Sequence, residues 1–173
     1  MSAELPPPLR IVTGHTDIGW SSIRSEDRVE PKKTAGFLGV QGAPLWVTDS
    51  VPTNDNNNDV DGATRQTEGD FGLVMRNGTV LRYTDIAPGA MAFMHRSSSF
   101  DYNVLIRGKL ILEMEDGTER TLETPGDIVI QRGTLHAWRN PGPEWTRFVS
   151  VLVDAKPALV NGEPLEPDIY CQT

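Results

Sequence analysis

Hydrophobic and polar residues alternate with a period of two over most of this chain, and no stretch carries the broader stripe of a long amphipathic helix. The pattern is densest from Phe71 onward. GLVMR and TVLRYTDI flank Asn77-Gly78, a pair that tolerates positive φ, so the spacing predicts a hairpin there. After Pro88-Gly89 come AMAFMH, FDYNVLIRG and KLILEME, and a turn at Asp116-Gly117 leads into ERTLE. DIVIQ and LHAWR flank Arg132-Gly133, and TRFVSVLVDAK makes the last apolar strand. Strand following strand at short spacing, with no helix between, predicts an all-β antiparallel sandwich or barrel.

The flanks read differently. Residues 1–10, MSAELPPPLR, predict an extended arm, because successive prolines lock φ and cannot continue a ladder; such an arm can lie across a neighbouring subunit. RIVTGHTDIGWSSIRSEDRVE predicts two short strands about a turn from His15 to Gly19, with His15 solvated. FLGVQGAPLWVTD predicts one or two more strands. Residues 53–70 are polar and nearly free of aliphatic side chains, which predicts a long surface loop. Its carboxylates lack the regular spacing and closing glutamate of a calcium loop. Residues 157–173, broken by prolines, predict a tail that wraps the surface without adding to the core, with Ile169 and Tyr170 packing where they meet the barrel. The whole, 173 residues, suits a single domain whose barrel spans 11–156.

Composition narrows the partners. A net charge of −8, with Lys32-Lys33 the only adjacent basic pair, argues against nucleic acid as the main ligand. The single cysteine, Cys171, rules out an intrachain disulfide and is expected to be an exposed bystander. No apolar run is long enough to cross a bilayer, and the first ten residues lack the basic start and apolar centre of a secretion signal. The expectation is no membrane association and a cytoplasmic location.

The candidate chemistry lies between Gly89 and Asn140. His95 and Ser97 share one strand parity with Asp101, while Arg96 and Tyr102 take the other. His136, Trp138 and Asn140 share a face of a second strand. If those faces converge, they line a cavity with two imidazoles, a carboxylate, a hydroxyl and an amide. His136 alone is most simply a satisfied barrel histidine; the group of three is what suggests a site.

These residues carry a resemblance. Gly89, His95, Ser97, Asp101 and Gly108 follow the first cupin motif, and Gly126, Asp127, Gly133, His136 and Asn140 follow the second. Ser97 stands where the motif has a second histidine, Asp101 where it has glutamate and Gln131 where it has proline, and the run before Gln131 is one residue short. The strings WVTDSVPTNDN, HRSSSFDY and DIVIQRGTLHAWRN are similar to those of small single-domain cupins from fungal polyketide and other secondary-metabolite pathways, commonly named oxidoreductases, dehydratases or decarboxylases. The resemblance implies an all-β, single-domain cupin, a double-stranded β-helix or jelly-roll barrel with extended N- and C-terminal arms. It also implies a homodimer and a biosynthetic role.

Two chemistries are open to the group. His95, Asp101 and His136 are donors that zinc or iron accepts, so the cofactor is either one divalent ion or none; the neutral hydroxyl of Ser97 is a poor ligand. Without metal, imidazoles near their ordinary pKa of ~6.5 give and take protons, which serves dehydration, decarboxylation or isomerisation. In that reading His95 and His136 are acid and base, Asp101 orients a ring and raises its pKa, and Ser97, Asn140, Trp138 and Trp46 contact the small-molecule substrate, Trp46 at the pocket mouth; a place for Trp46 in the core fits the sequence equally well. The expected function is a lyase or isomerase of polyketide-like metabolism. The alternatives are a metal-dependent oxidoreductase and a ligand-binding cupin without turnover.

Overall fold

The computed structural model describes residues 3–67 and 69–169; Tyr170 and Cys171 lie outside them. In chain order the strands are β1 (Leu9–His15), β2 (Ser21–Arg28), β3 (Lys32–Lys33), β4 (Val40–Thr48), β5 (Thr79–Ile86), β6 (Met91–Arg96), β7 (Ser99–Arg107) and β8 (Leu110–Met114). They continue with β9 (Glu119–Leu122), β10 (Ile128–Arg132), β11 (His136–Arg139), β12 (Thr146–Asp154), β13 (Leu159–Val160), β14 (Glu163–Pro164) and β15 (Asp168–Ile169). Two antiparallel sheets form the body, one in the order β10-β7-β12-β5-β4-β3 and the other β15-β6-β11-β8-β9. Among the described residues no helix is long and apolar enough to cross a membrane.

Period-two alternation explains how the sheets close on each other. In β7, Ser99, Asp101, Asn103 and Leu105 are buried while Tyr102 and Ile106 are exposed, so the odd positions face the interior. In β12 the inward set is Phe148, Ser150 and Leu152. Two apolar clusters fill the interior. Val40, Ile86, Leu105, Leu110, Leu112, Leu122, Trp138 and Phe148 form one, and Val47, Met75, Val80 and Leu152 the other. At Gly108, between β7 and β8, φ is +84°, and a Cβ would come within 2.5 Å of the Thr146 hydroxyl, which accounts for the glycine that ends the first motif.

The arm lies over its own sheet. Arg147 donates to Pro6 O at 2.9 Å, pairs with Asp85 through two contacts of 2.6 Å, and sits 4.8 Å from the centre of the Tyr83 ring. β1 and β2 form the hairpin expected about His15–Gly19. The 53–70 segment is a surface loop, but it is not structureless. It holds single 3-10 turns at Asp55–Asn57 and Gly62–Thr64 and leads into a third at Asp70–Gly72, and Arg65 binds Asp55 through contacts of 2.7 and 2.8 Å.

Two expectations are corrected. Asn77 does take positive φ, at 58°, but no hairpin forms there. The residues before it are held by the isolated Gly69–Val74 bridge, while β5 finds its partners in β4 and β12. Nor does the tail merely wrap the surface: β15 extends the five-stranded sheet, with Ile169 opposite His95.

Candidate active site

The convergence of His95 and His136 follows from register. β6 and β11 pair antiparallel with the two histidines directly opposite, and the next pairing, after an irregularity, is Trp138 with Ala92. The imidazole centroids lie 4.4 Å apart with the planes tilted by 48°. Each ring is anchored through Nδ1, that of His95 on Phe93 O at 2.8 Å and that of His136 on Thr134 O at 2.9 Å. A carbonyl only accepts, so Nδ1 carries the proton in both rings, and Nε2 is left as the basic nitrogen. Neither Nε2 has a hydrogen bond among the described residues.

Both rings line a cavity of about 310 Å³ between the two sheets. Phe37, Trp138, Phe148, Leu152 and Ile169 supply much of its apolar wall. Burial, the neighbouring imidazole and the partly offsetting Thr134 carbonyl together push His136 down to about 3. His95 is lowered as well, by burial and by the charge of Arg82, against the Phe93 carbonyl. The rings are therefore neutral at physiological pH, and they stay neutral at mildly acid pH where an ordinary histidine takes up its proton.

Asp101 faces the same cavity from β7, in the opposite sheet. Burial raises it to about 6, partly offset by a hydrogen bond from Ser99, and its Oδ1 has no partner among the described residues. It orients neither ring, because backbone carbonyls already hold both. Ser97 lines the cavity too, with its hydroxyl 2.8 Å from that of Ser99. Trp138 is buried core and cavity wall at once, its ring edge-on to His136 at 5.6 Å.

Two expected contacts fall elsewhere. Asn140 spends its side chain on backbone, donating to Ile86 O and Glu144 O and accepting from the Gly142 amide, so it shapes a turn and does not line the cavity. Trp46 borders a separate cleft against the β1–β2 hairpin and donates to Asp55 at 2.7 Å. A bulge between Pro44 and Trp46 reverses the alternation in β4, turning Val47 inward and Trp46 outward.

Of the two open alternatives, one divalent ion on His95, Asp101 and His136 or none, the ion does not fit this donor set. Among the described residues no three His, Cys, Asp or Glu side chains gather closely enough to hold an ion, and the hydroxyl of Ser97 is engaged with Ser99. Sequence reasoning missed Arg82, Thr84, Asn103 and Ser150, which also line the cavity. Asn103 could have been found from the strand parity it shares with Asp101; Arg82 stands in register with Val80 and Ile86, a signal masked because the alternate positions Leu81 and Tyr83 are equally apolar.

No family model matches the chain. Over 168 residues it is 36% identical to the cupin-domain-containing oxidoreductase fogC of Aspergillus ruber, an alignment spanning 95% of this chain and 81% of that protein. This chain is a cupin. The cupin is also 33% identical, over 95% of its length and 87% of the other's, to phomopsin biosynthesis cluster protein D of Diaporthe leptostromiformis. Among solved structures, the polyketide cyclase RemF of Streptomyces resistomycificus aligns with a TM-score of 0.52 at 15% identity, covering 84% of this cupin and 82% of RemF. A cupin-2 domain from Rhodospirillum rubrum aligns at 0.51 with 14% identity, covering 98% and 81%. These two likenesses concern the fold alone.

Proposed function

We propose that this cupin is an enzyme of fungal secondary metabolism that works by proton transfer, as a lyase or isomerase catalysing dehydration, decarboxylation or cyclisation of a polyketide-like molecule. The observation that carries the reading is the imidazole pair, 4.4 Å apart, each ring fixed by a carbonyl so that its basic nitrogen is the one left for substrate. One Nε2 removes a proton from carbon beside a substrate carbonyl. The imidazolium so formed is buried next to a second imidazole, and the same forces that lower its pKa make it a strong acid. It returns the proton to a departing hydroxyl or to another carbon. Asp101, raised to about 6, is a second proton carrier in reach of neutral pH.

The test takes the intermediate that accumulates when the gene is deleted and incubates it with purified, chelator-dialysed protein. Turnover is expected to survive dialysis and to fall by roughly 100-fold or more in both His95→Asn and His136→Asn. Turnover that stops on dialysis and returns with iron would overturn both this reading and the misfit of a metal to the donor set; it would support the second reading, a metal-dependent oxidoreductase, of which the name of the fogC relative favours the redox part alone.

The partner proposed for the outer face of the larger sheet is a second copy of this chain. Tyr102, Ile106, Ile128 and Ile130 are exposed together on β7 and on β10, the strand at the sheet edge, and an apolar strip on an open edge favours self-association.

A further inference from the structure

The wall facing the imidazoles carries a polar row that proton transfer by the histidines leaves unexplained. On β12, Ser150 stands directly opposite Asn103 of β7 on one side and Arg82 of β5 on the other, and all three line the cavity. Ser150 donates to Asn103 Oδ1 at 2.6 Å, which leaves the Asn103 amide nitrogen buried without a partner. Arg82 makes no ion pair or hydrogen bond with any described residue, and its Nε is sealed from solvent with nothing to bind. Burial lowers the pKa of its guanidinium, the direction expected for a cation without a counterion. Burying an unpaired guanidinium and an unpaired amide is costly, and a ligand that satisfies both recovers that cost on binding.

We infer that Arg82 and Asn103 form an anion subsite that seats a carboxylate of the substrate, opposite His95 and His136. The inference rests on the proposed acid–base reading for its chemistry, though not for the binding itself. A planar guanidinium fork matches a carboxylate through paired N–H···O bonds. The apolar remainder of the cavity, with Phe37, Trp138, Phe148 and Leu152, suits an aromatic or aliphatic body. Arg82 is the one lysine or arginine among the described residues lining the cavity, which fits one negative charge better than a phosphate dianion. Neutralising Arg82 would also relieve its pull on His95, so the bound acid would make that ring a better base.

The probes are 1-naphthoate and its near-isostere 1-naphthamide, titrated calorimetrically into the intact protein. Wild type is expected to bind the acid about tenfold or more tightly than the amide. In Arg82→Gln that preference should vanish while naphthamide binding stays unchanged. Equal binding of the two probes by wild type, no binding of the acid, or a preference that persists in Arg82→Gln would overturn the inference. Should Arg82→Gln fail to fold, Asn103→Asp carries the test. A carboxylate placed there should weaken naphthoate binding and spare naphthamide, and unchanged naphthoate binding overturns the inference. The two readings separate in His95→Asn and His136→Asn. A naphthoate preference kept in variants that turn over normally sinks only the acid–base mechanism, whereas loss of turnover with no preference in wild type sinks only the subsite.

Discussion

His136 and Asp101 are titratable groups held away from water on facing walls, and burial shifts them in opposite directions. The buried imidazole, at about 3, binds its proton only well below the unfolded chain's 6.5. Its contribution to stability is therefore whole above pH 6.5 and is lost as pH falls toward 3. The buried carboxyl, at about 6, takes its proton before the unfolded chain does at 3.8, so its ionised form costs stability above pH 6 and that cost disappears on acidification. Asp101→Asn should accordingly be more stable than wild type above pH 6, by about 2–3 kcal/mol, with the advantage gone near pH 4. His136→Asn should lose less stability than wild type between pH 6.5 and 4. Urea unfolding midpoints across pH 4–8 measure both, and an Asp101→Asn curve parallel to wild type throughout would contradict the burial of that carboxyl. At this scale the histidines were legible, because strand parity and motif spacing both marked them. Arg82 was not, because inward and outward positions of β5 are equally apolar and only its neighbours in β12 and β7 reveal its surroundings.

Single residues also decide how elements sit. Arg10, in β1, bonds Asp27 of β2 at 2.9 and 2.8 Å, Asp61 of the long loop at 2.8 and 2.9 Å, and Leu45 O at 3.2 Å. Asp61 in turn accepts from the Ala63 amide and caps a 3-10 turn. One side chain thus staples hairpin, loop and sheet. Arg10→Ala is expected to cost about 1–2 kcal/mol and to speed amide exchange in residues 53–64, with the strands of the smaller sheet unaffected. Unchanged exchange in that loop would show that the staple is not what orders it. A polar, aliphatic-poor segment reads from sequence as a bare loop because its order comes from arginines distant in the chain. The same dependence on distant partners explains Asn77-Gly78: the local turn signal is genuine, but β5 gains more from β4 and β12 than from the residues just before it.

Over the whole molecule, the larger sheet carries apolar residues on both faces, with the polar row of Arg82, Ser150 and Asn103 set among them on the inner one. Its inner face closes on the smaller sheet, and its outer face is covered at one end by the N-terminal arm, held through Arg147 to Pro6 O, and by the segment after β2, where Tyr83 donates to Val29 O. Toward β10 it leaves Ile128 and Ile130 exposed. If a second copy covers that strip, wild type should elute as a dimer by size exclusion with light scattering, and Ile130→Lys should shift it to monomer without altering the cavity. A wild-type monomer at tens of micromolar would remove the dimer.

The sequence by itself determined that this chain is a β barrel and that two imidazoles face inward. Both follow from local rules, a period of two and turn residues that accept positive φ. It did not determine which polar groups accompany those imidazoles. A bulge turned Trp46 outward, a turn consumed the Asn140 side chain, the tail brought Ile169 to the cavity, and register across three strands set Arg82 beside Ser150 and Asn103. Only the tertiary structure decides these, because they depend on pairings between residues far apart in the chain, and a one-residue shift in any strand would send a different set of side chains inward.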